Sequence, residues 1–137
     1  MLEALQKAQN RAARFVTKLD WSTPVSELLK QCGWLSVHQL VVYHSVVMVF
    51  KVINKETPKY LHSMFSAKYN YKTKQADKGD LRHTRDLDLG ITEDSFRWRA
   101  AKSYNELPLD IKNAATLEAF KKSVKTWIKT NISLYQE

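Results

Sequence analysis

Glycine and proline are scarce in this chain of 137 residues, three of each. A β-sandwich needs many tight turns built from those residues, so their scarcity argues against one and leaves room for long helices. A single cysteine, Cys32, allows no internal disulfide framework and no cysteine-rich zinc knuckle, and it fits a reducing, intracellular setting, nuclear or cytoplasmic. Carboxylates are also short: 14 Asp and Glu face 22 Lys and Arg, a formal charge of +8. That imbalance favours polyanionic partners, nucleic acid or an acidic membrane surface. No apolar run approaches the roughly 20 residues of a membrane span. The longest, Leu40 to Phe50, is interrupted by His44 and Ser45. The first residues are charged from Glu3 onward with no uninterrupted apolar stretch, so no secretory signal is expected there. No nucleophile elbow, Walker loop, His-Glu-x-x-His or dinucleotide glycine motif occurs. His38 and His44 have the wrong spacing for a shared helical metal site, and His62 and His83 lack ligand-spaced partners, so no metal or cofactor is expected.

What remains is a globular composition, 44% hydrophobic, of the size of one domain. Its patterning is helical. Leu2, Leu5, Ala8, Ala12, Phe15, Val16 and Leu19 recur on one face of a first helix, and Lys7, Arg11, Arg14 and Lys18 line another. Such a cationic line suits a phosphate backbone, although it is also what an ordinary solvated face looks like. Asp20 to Ser22 breaks that helix. Thr23 as N-cap and Pro24 as first helical residue restart one, with Val25, Leu28 and Leu29 inside and Gly33 at its end. Ser36 and Gln39 form a capping box for a core helix over Val37 to Ile53. Thr57-Pro58 opens a short helix to Phe65, docked by Tyr60, Leu61, Met64 and Phe65.

From Ala67 to Gly90 no period is sustained. Lys68, Lys72, Lys74, Lys78, Arg82 and Arg85 alternate with Tyr69, Tyr71, Asp77 and Asp80, which reads as a basic loop suited either to single strands or to plain solvated linkage. Then comes a helix with Phe96, Ala100, Ala101 and Tyr104 on one face and Arg97, Arg99 and Lys102 elsewhere; Glu93 and Asp94 fall in its first turn, where they complement the dipole. Pro108 stops it and forces Leu107 out of the α region. Leu109 and Ile111 anchor the turn, and Thr116 caps a last helix with Leu117, Phe120, Val124, Trp127 and Ile128 inside and Lys121, Lys122, Lys125 and Lys129 outside. Trp21, Trp34, Trp98 and Trp127 are expected to be core residues more than base-stacking platforms.

Four stretches carry a resemblance to a known family. Tyr104-Asn105-Glu106-Leu107-Pro108-Leu109-Asp110-Ile111 followed by Phe120-Lys121-Lys122-Ser123-Val124-Lys125 resembles the tail of non-LTR (LINE-type) retrotransposon reverse transcriptases. There an aromatic-Asn-x-Leu-Pro-x-x-Ile corner precedes a Phe-Lys-x-x-Leu/Val-Lys helix. Leu5-Gln6-Lys7-Ala8-Gln9-Asn10-Arg11-Ala12-Ala13-Arg14 is similar to the Leu-Gln-x-x-Gln-Asn-Arg-Ala-x-Arg signature of the thumb and post-catalytic region of the same enzymes. Between them, Gly33-Trp34-Leu35-Ser36-Val37 and Pro58-Lys59-Tyr60-Leu61 match the family's Gly-Trp-Leu turn and Pro-x-Tyr-Leu segment. The likeness covers Leu5 to Ile128.

The expected architecture is an all-α, compact bundle of about five to six helices with a long basic loop in the middle. It comprises residues 1–66, a loop 67–91 and residues 92–137 around the Asn-Glu-Leu-Pro corner, together one domain. The resemblance implies a non-catalytic region of an RNA-directed DNA polymerase that grips template or primer phosphates, with the remainder of a reverse transcriptase as a further partner. The paired aspartates that hold two magnesium ions in such polymerases are absent: Asp86 and Asp88 are separated and Asp110 stands alone. No catalysis by this chain on its own is therefore expected. Residues expected on nucleic acid are Lys7, Arg11, Arg14, Lys18, Arg97, Arg99, Lys102, Lys121, Lys122, Lys125 and Lys129, with Arg99 and Asn105 equally able to pin the corner. Tyr104, Asn105, Leu107, Pro108 and Ile111 form that structural corner. Competing readings are a helical protein-interaction module, a relic of a decayed retroelement, or a binder of anionic membranes through the first helix.

Overall fold

The computed structural model describes residues 2–65, Leu81 and 95–134. The protein is all-α. Its elements are α1 (Leu2–Thr17), α2 (Val25–Cys32), α3 (Val37–Ile53), a 3-10 turn (Lys59–Leu61), α4 (Phe96–Asn105), α5 (Leu109–Lys112) and α6 (Leu117–Asn131), with no strand among the described residues. The basic loop expected over 67–91, Leu81 apart, and the acidic first turn at Glu93 and Asp94 lie outside the described residues. The chain divides into two units, Met1–Val41 with Trp127–Glu137, and Val42–Thr126.

The first unit is built on helix ends. Ser36 and Gln39 make the reciprocal capping box: Gln39 N–H donates to Ser36 Oγ at 3.2 Å, and Ser36 N–H donates to Gln39 Oε1 at 3.0 Å. Gln39 also donates from Nε2 to the Ile132 carbonyl at 2.9 Å, so this buried amide closes a second helix end. Gly33 ends α2 in the left-handed region at φ 67°, with Gly33 N–H to Lys30 C=O at 3.1 Å and Trp34 N–H to Leu29 C=O at 2.9 Å, a Schellman pair. The start of α2 differs from expectation. Pro24 is itself the N-cap, extended at ψ 145°, and Thr23 makes no cap; its N–H instead donates to the Asp20 carbonyl at 3.1 Å. Two further helix ends are closed by lysines where glycine is usual. Lys18, at φ 55°, donates its N–H to Arg14 C=O at 2.8 Å. In the second unit Lys55, at φ 59°, completes a Schellman pair at the end of α3, with its N–H to Val52 C=O at 3.1 Å and Glu56 N–H to Lys51 C=O at 2.9 Å.

In the second unit, Val46, Val47, Val49, Phe50 and Val52 of α3 are buried, as are Ala100, Ala101 and Tyr104 of α4 and Phe120 and Val124 of α6. The Phe50 and Phe120 rings stack at 4.1 Å and 19°. A buried phenylalanine in such a pair contributes area and an aromatic contact together. Thr116 caps α6, accepting the Ala119 N–H at 3.2 Å. The Thr57-Pro58 helix is reduced to the 3-10 turn, without a side-chain cap. The His62 ring Nε2 lies 2.7 Å from the Thr57 carbonyl, Phe65 is buried, and Tyr60 points to solvent instead of docking.

The corner between α4 and α6 holds a short helix that the sequence reading treated as a turn. Leu107 is buried and Ile111 half-buried, whereas Leu109, expected as an anchor, is exposed. Pro108, extended at ψ 150°, starts α5 by accepting the Ile111 N–H at 3.1 Å. Asn105 pins the corner through its side chain: Oδ1 accepts the Leu81 N–H at 2.6 Å and Nδ2 donates to the Leu81 carbonyl at 2.8 Å. One amide thereby satisfies both backbone groups of a buried residue 24 positions away.

Candidate nucleic-acid interface

The face that α1 turns inward is polar. Gln6 and Ala13 are its buried residues. Gln6 Oε1 accepts the Val37 N–H at 2.8 Å, satisfying one of the donors left open at the start of α3, and Gln9 Nε2 donates to the Leu35 carbonyl at 2.8 Å. Gln6 Nε2 in turn donates to Gln9 Oε1 and Asn10 Oδ1, each at 2.8 Å. The apolar stripe expected to be buried faces outward instead, with Leu5, Val16 and Phe15 at 51%, 61% and 85% exposure. The reversal has a physical cause. The 35–37 segment presents backbone groups that require partners, and glutamines supply them where leucines cannot.

The cationic line lies on a third face of the same helix. Lys7, Arg11 and Lys18 are exposed; Lys7 holds Glu3 at 2.9 Å, an exposed pair of small energetic weight. That ammonium lowers the Glu3 pKa, by hydrogen bond and by charge. Arg14 is half-buried. Its guanidinium sits 4.9 Å from the centre of the Trp21 ring, and its Nε is buried without a hydrogen-bond partner. Along the axis, Lys7 to Arg14 covers roughly 10 Å, and Lys18 follows just past the helix end.

On α6, Lys122, Lys125 and Lys129 are exposed at spacings of three and four, opposite the buried Phe120, Val124 and Ile128. Lys121 is half-buried and reaches Glu118 at 3.4 Å. On α4, Arg99 and Lys102 are exposed and Arg97 half-buried; the Lys102 ammonium lies 5.2 Å from the centre of the Trp98 ring. Among the described residues the ion pairs are Lys7 with Glu3 and Lys121 with Glu118, so Arg11, Lys18, Lys122, Lys125 and Lys129 keep their charge for an outside partner.

The structure thus gathers the cations into two lines, one on α1 and one on α6, and a smaller group on α4. The four tryptophans are not the core residues expected: Trp21 is 74% exposed, Trp34 is exposed, and Trp98 and Trp127 are half-buried. Two residues in the corner were missed by sequence reasoning. Leu81 was indistinguishable from the other residues of an aperiodic stretch. Lys112 is buried, with Nζ 3.5 Å from the Asn105 carbonyl and 5.4 Å from the centre of the Tyr104 ring; its position one residue after Ile111 was the available signal. Burial pushes the Tyr104 hydroxyl up to about 12. No family model, curated protein or solved structure matches this chain. No single helix among the described residues is long and apolar enough to cross a membrane.

Proposed function

We propose that this chain is a non-catalytic nucleic-acid-binding region of the kind that ends a LINE-type reverse transcriptase, contacting template or primer phosphates. The observation that carries the reading is the pair of exposed cationic lines, Lys7 and Arg11 on α1 with Lys18 just past its end, and Lys122, Lys125 and Lys129 on α6. Lys7 and Arg11 lie about one turn apart on α1, and Lys122, Lys125 and Lys129 repeat every three or four residues on one face of α6, which suits a regularly spaced row of phosphates. Each neutralised phosphate releases counterions, the main source of sequence-independent affinity. Arg97, Arg99, Lys102 and Lys121 add charge. Trp21, exposed beside the Arg14 guanidinium, is the aromatic best placed to stack on an unpaired base. Arg14, half-buried against that ring, offers less of its charge to phosphate than Lys7 or Arg11 does.

The resemblance supports the same reading through the corner. Asn105, the central residue of the Tyr-Asn-Glu-Leu-Pro stretch, clamps Leu81, so that stretch has a structural role and the cations around it are left for binding. The chain holds no Asp-Asp pair, and the polymerase chemistry belongs to a different part of such an enzyme.

The test is fluorescence anisotropy with labelled single-stranded RNA, DNA duplex and RNA–DNA hybrid across a range of salt. Log affinity is expected to fall linearly with log salt, by close to one unit of slope per phosphate contacted. Absence of binding by a folded sample at low salt would remove the proposal. It would leave the protein-interaction module or the retroelement relic.

A further inference from the structure

We infer that the outward apolar face of α1 is a docking surface for an anionic lipid bilayer. Leu5, Phe15 and Val16 are each more than half exposed, and Ala8 and Ala12 lie exposed between them, so one continuous apolar strip runs along the helix. Beside it, on the adjoining face, stand Lys7, Arg11 and Lys18. The carboxylate of α1, Glu3, sits at the opposite end from Phe15 and is taken up by Lys7.

An occupant must therefore be apolar where it meets Phe15 and negative at the edge. Nucleic acid fits the cations alone and leaves Phe15 and Val16 in water. A second copy of this chain fits the apolar strip alone, because a two-fold contact brings the same patch against itself and gathers both cationic lines at its border. A bilayer containing acidic lipids meets both requirements. Apolar side chains enter the acyl boundary while lysine and arginine reach the headgroups, the arrangement of helices that lie in the interface plane. The third face of α1 strengthens the assignment. Gln6 and Gln9 hold the helix to the Leu35–Val37 backbone by directional hydrogen bonds, so α1 presents its apolar strip without leaving the fold.

Vesicle flotation tests this, using phosphatidylcholine alone and phosphatidylcholine with phosphatidylserine. The whole protein is expected to float with the acidic vesicles and to remain behind with the neutral ones. Phe15→Ser and, separately, Leu5→Ser are expected to reduce the floated fraction about tenfold or more for the larger side chain and less for the smaller, with helicity by circular dichroism unchanged. Phe15→Ser leaves Lys7, Arg11 and Lys18 in place and retains nucleic-acid binding, which separates the apolar strip from the cations at its edge. Failure to float with acidic vesicles, or equal flotation of wild type and Phe15→Ser, would overturn the inference; the first would return the strip to an acid-edged protein partner, the second would reduce the contact to charge.

Discussion

Helices α1 and α6 are close in length, 16 and 15 residues, and both are basic and amphipathic, yet they solve the packing problem in opposite ways. In α6 the apolar stripe goes inward, and Phe120, Val124 and Ile128 are fully buried. In α1 the glutamine face goes inward and the apolar stripe goes out. The difference lies in what each helix meets. The interior side of α6 in the second unit includes Phe50, an aromatic ring to stack on. The interior side of α1 meets α2 and also the start of α3, where backbone donors and acceptors need partners. A periodic apolar pattern thus predicts a helix but not which face the fold uses.

The sharpest way to break this contrast is to truncate a phenylalanine on each helix. Phe120→Ala is expected to cost about 3–5 kcal/mol in urea unfolding, the range for a fully buried ring. Phe15→Ala is expected to change stability by no more than about 0.5 kcal/mol. Equal losses would mean that the α1 strip is covered after all.

The polar half of the comparison is sharpened by Gln6→Ala. It removes the acceptor for Val37 N–H and the donor to Gln9 and Asn10, and is expected to cost about 1–3 kcal/mol. Gln6→Leu, which improves the apolar count of α1, is expected to be no better. If Gln6→Leu stabilised the protein, hydrophobic burial and not hydrogen bonding would govern that face.

Alkaline pH probes the second unit. The Tyr104 hydroxyl titrates at an ordinary 10.0 when unfolded and near 12 in the fold, because burial penalises the phenolate. The folded state therefore holds its proton more tightly. Its contribution is fully present below pH 10 and is lost as pH rises through about 12. Melting temperatures measured across that window are expected to fall more steeply for wild type than for Tyr104→Phe; parallel curves would show that Tyr104 is not the group responsible.

The smallest effect concerns helix ends. Lys55→Gly is expected to stabilise by about 1 kcal/mol, since a left-handed residue with a side chain is strained there. Gly33→Ala is expected to destabilise by a similar amount, although a Cβ at Gly33 meets no atom within 4 Å. The same sign for both would show that contacts, not φ, decide these positions.

Much of the fold was legible because its signals are local. The capping box at Ser36 and Gln39, the Gly33 terminus, the break at Pro108 and the α6 stripe each depend on a few neighbouring residues, and each is found in the structure. What could not be read depends on distant partners. Gln6 looks like a surface residue until the Val37 N–H is placed beside it. That Asn105 can pin the corner was legible, but its partner, Leu81 held between its two amide atoms, was not. Lys18 and Lys55 do the work of glycine, and no local rule marks a lysine for a left-handed turn. Of the candidate site, the two lines of cations followed from spacing, whereas the withdrawal of Arg14 toward Trp21 required the fold.

The most direct measurement for the proposed nucleic-acid interface is the salt dependence of binding to an RNA–DNA hybrid for four proteins: wild type, Arg11→Gln with Lys18→Gln, Lys125→Gln with Lys129→Gln, and all four together. The account predicts that the slope of log affinity against log salt falls by about one for each cation removed that contacts phosphate, with helicity unchanged. An unaltered slope and affinity in the folded fourfold variant would contradict it.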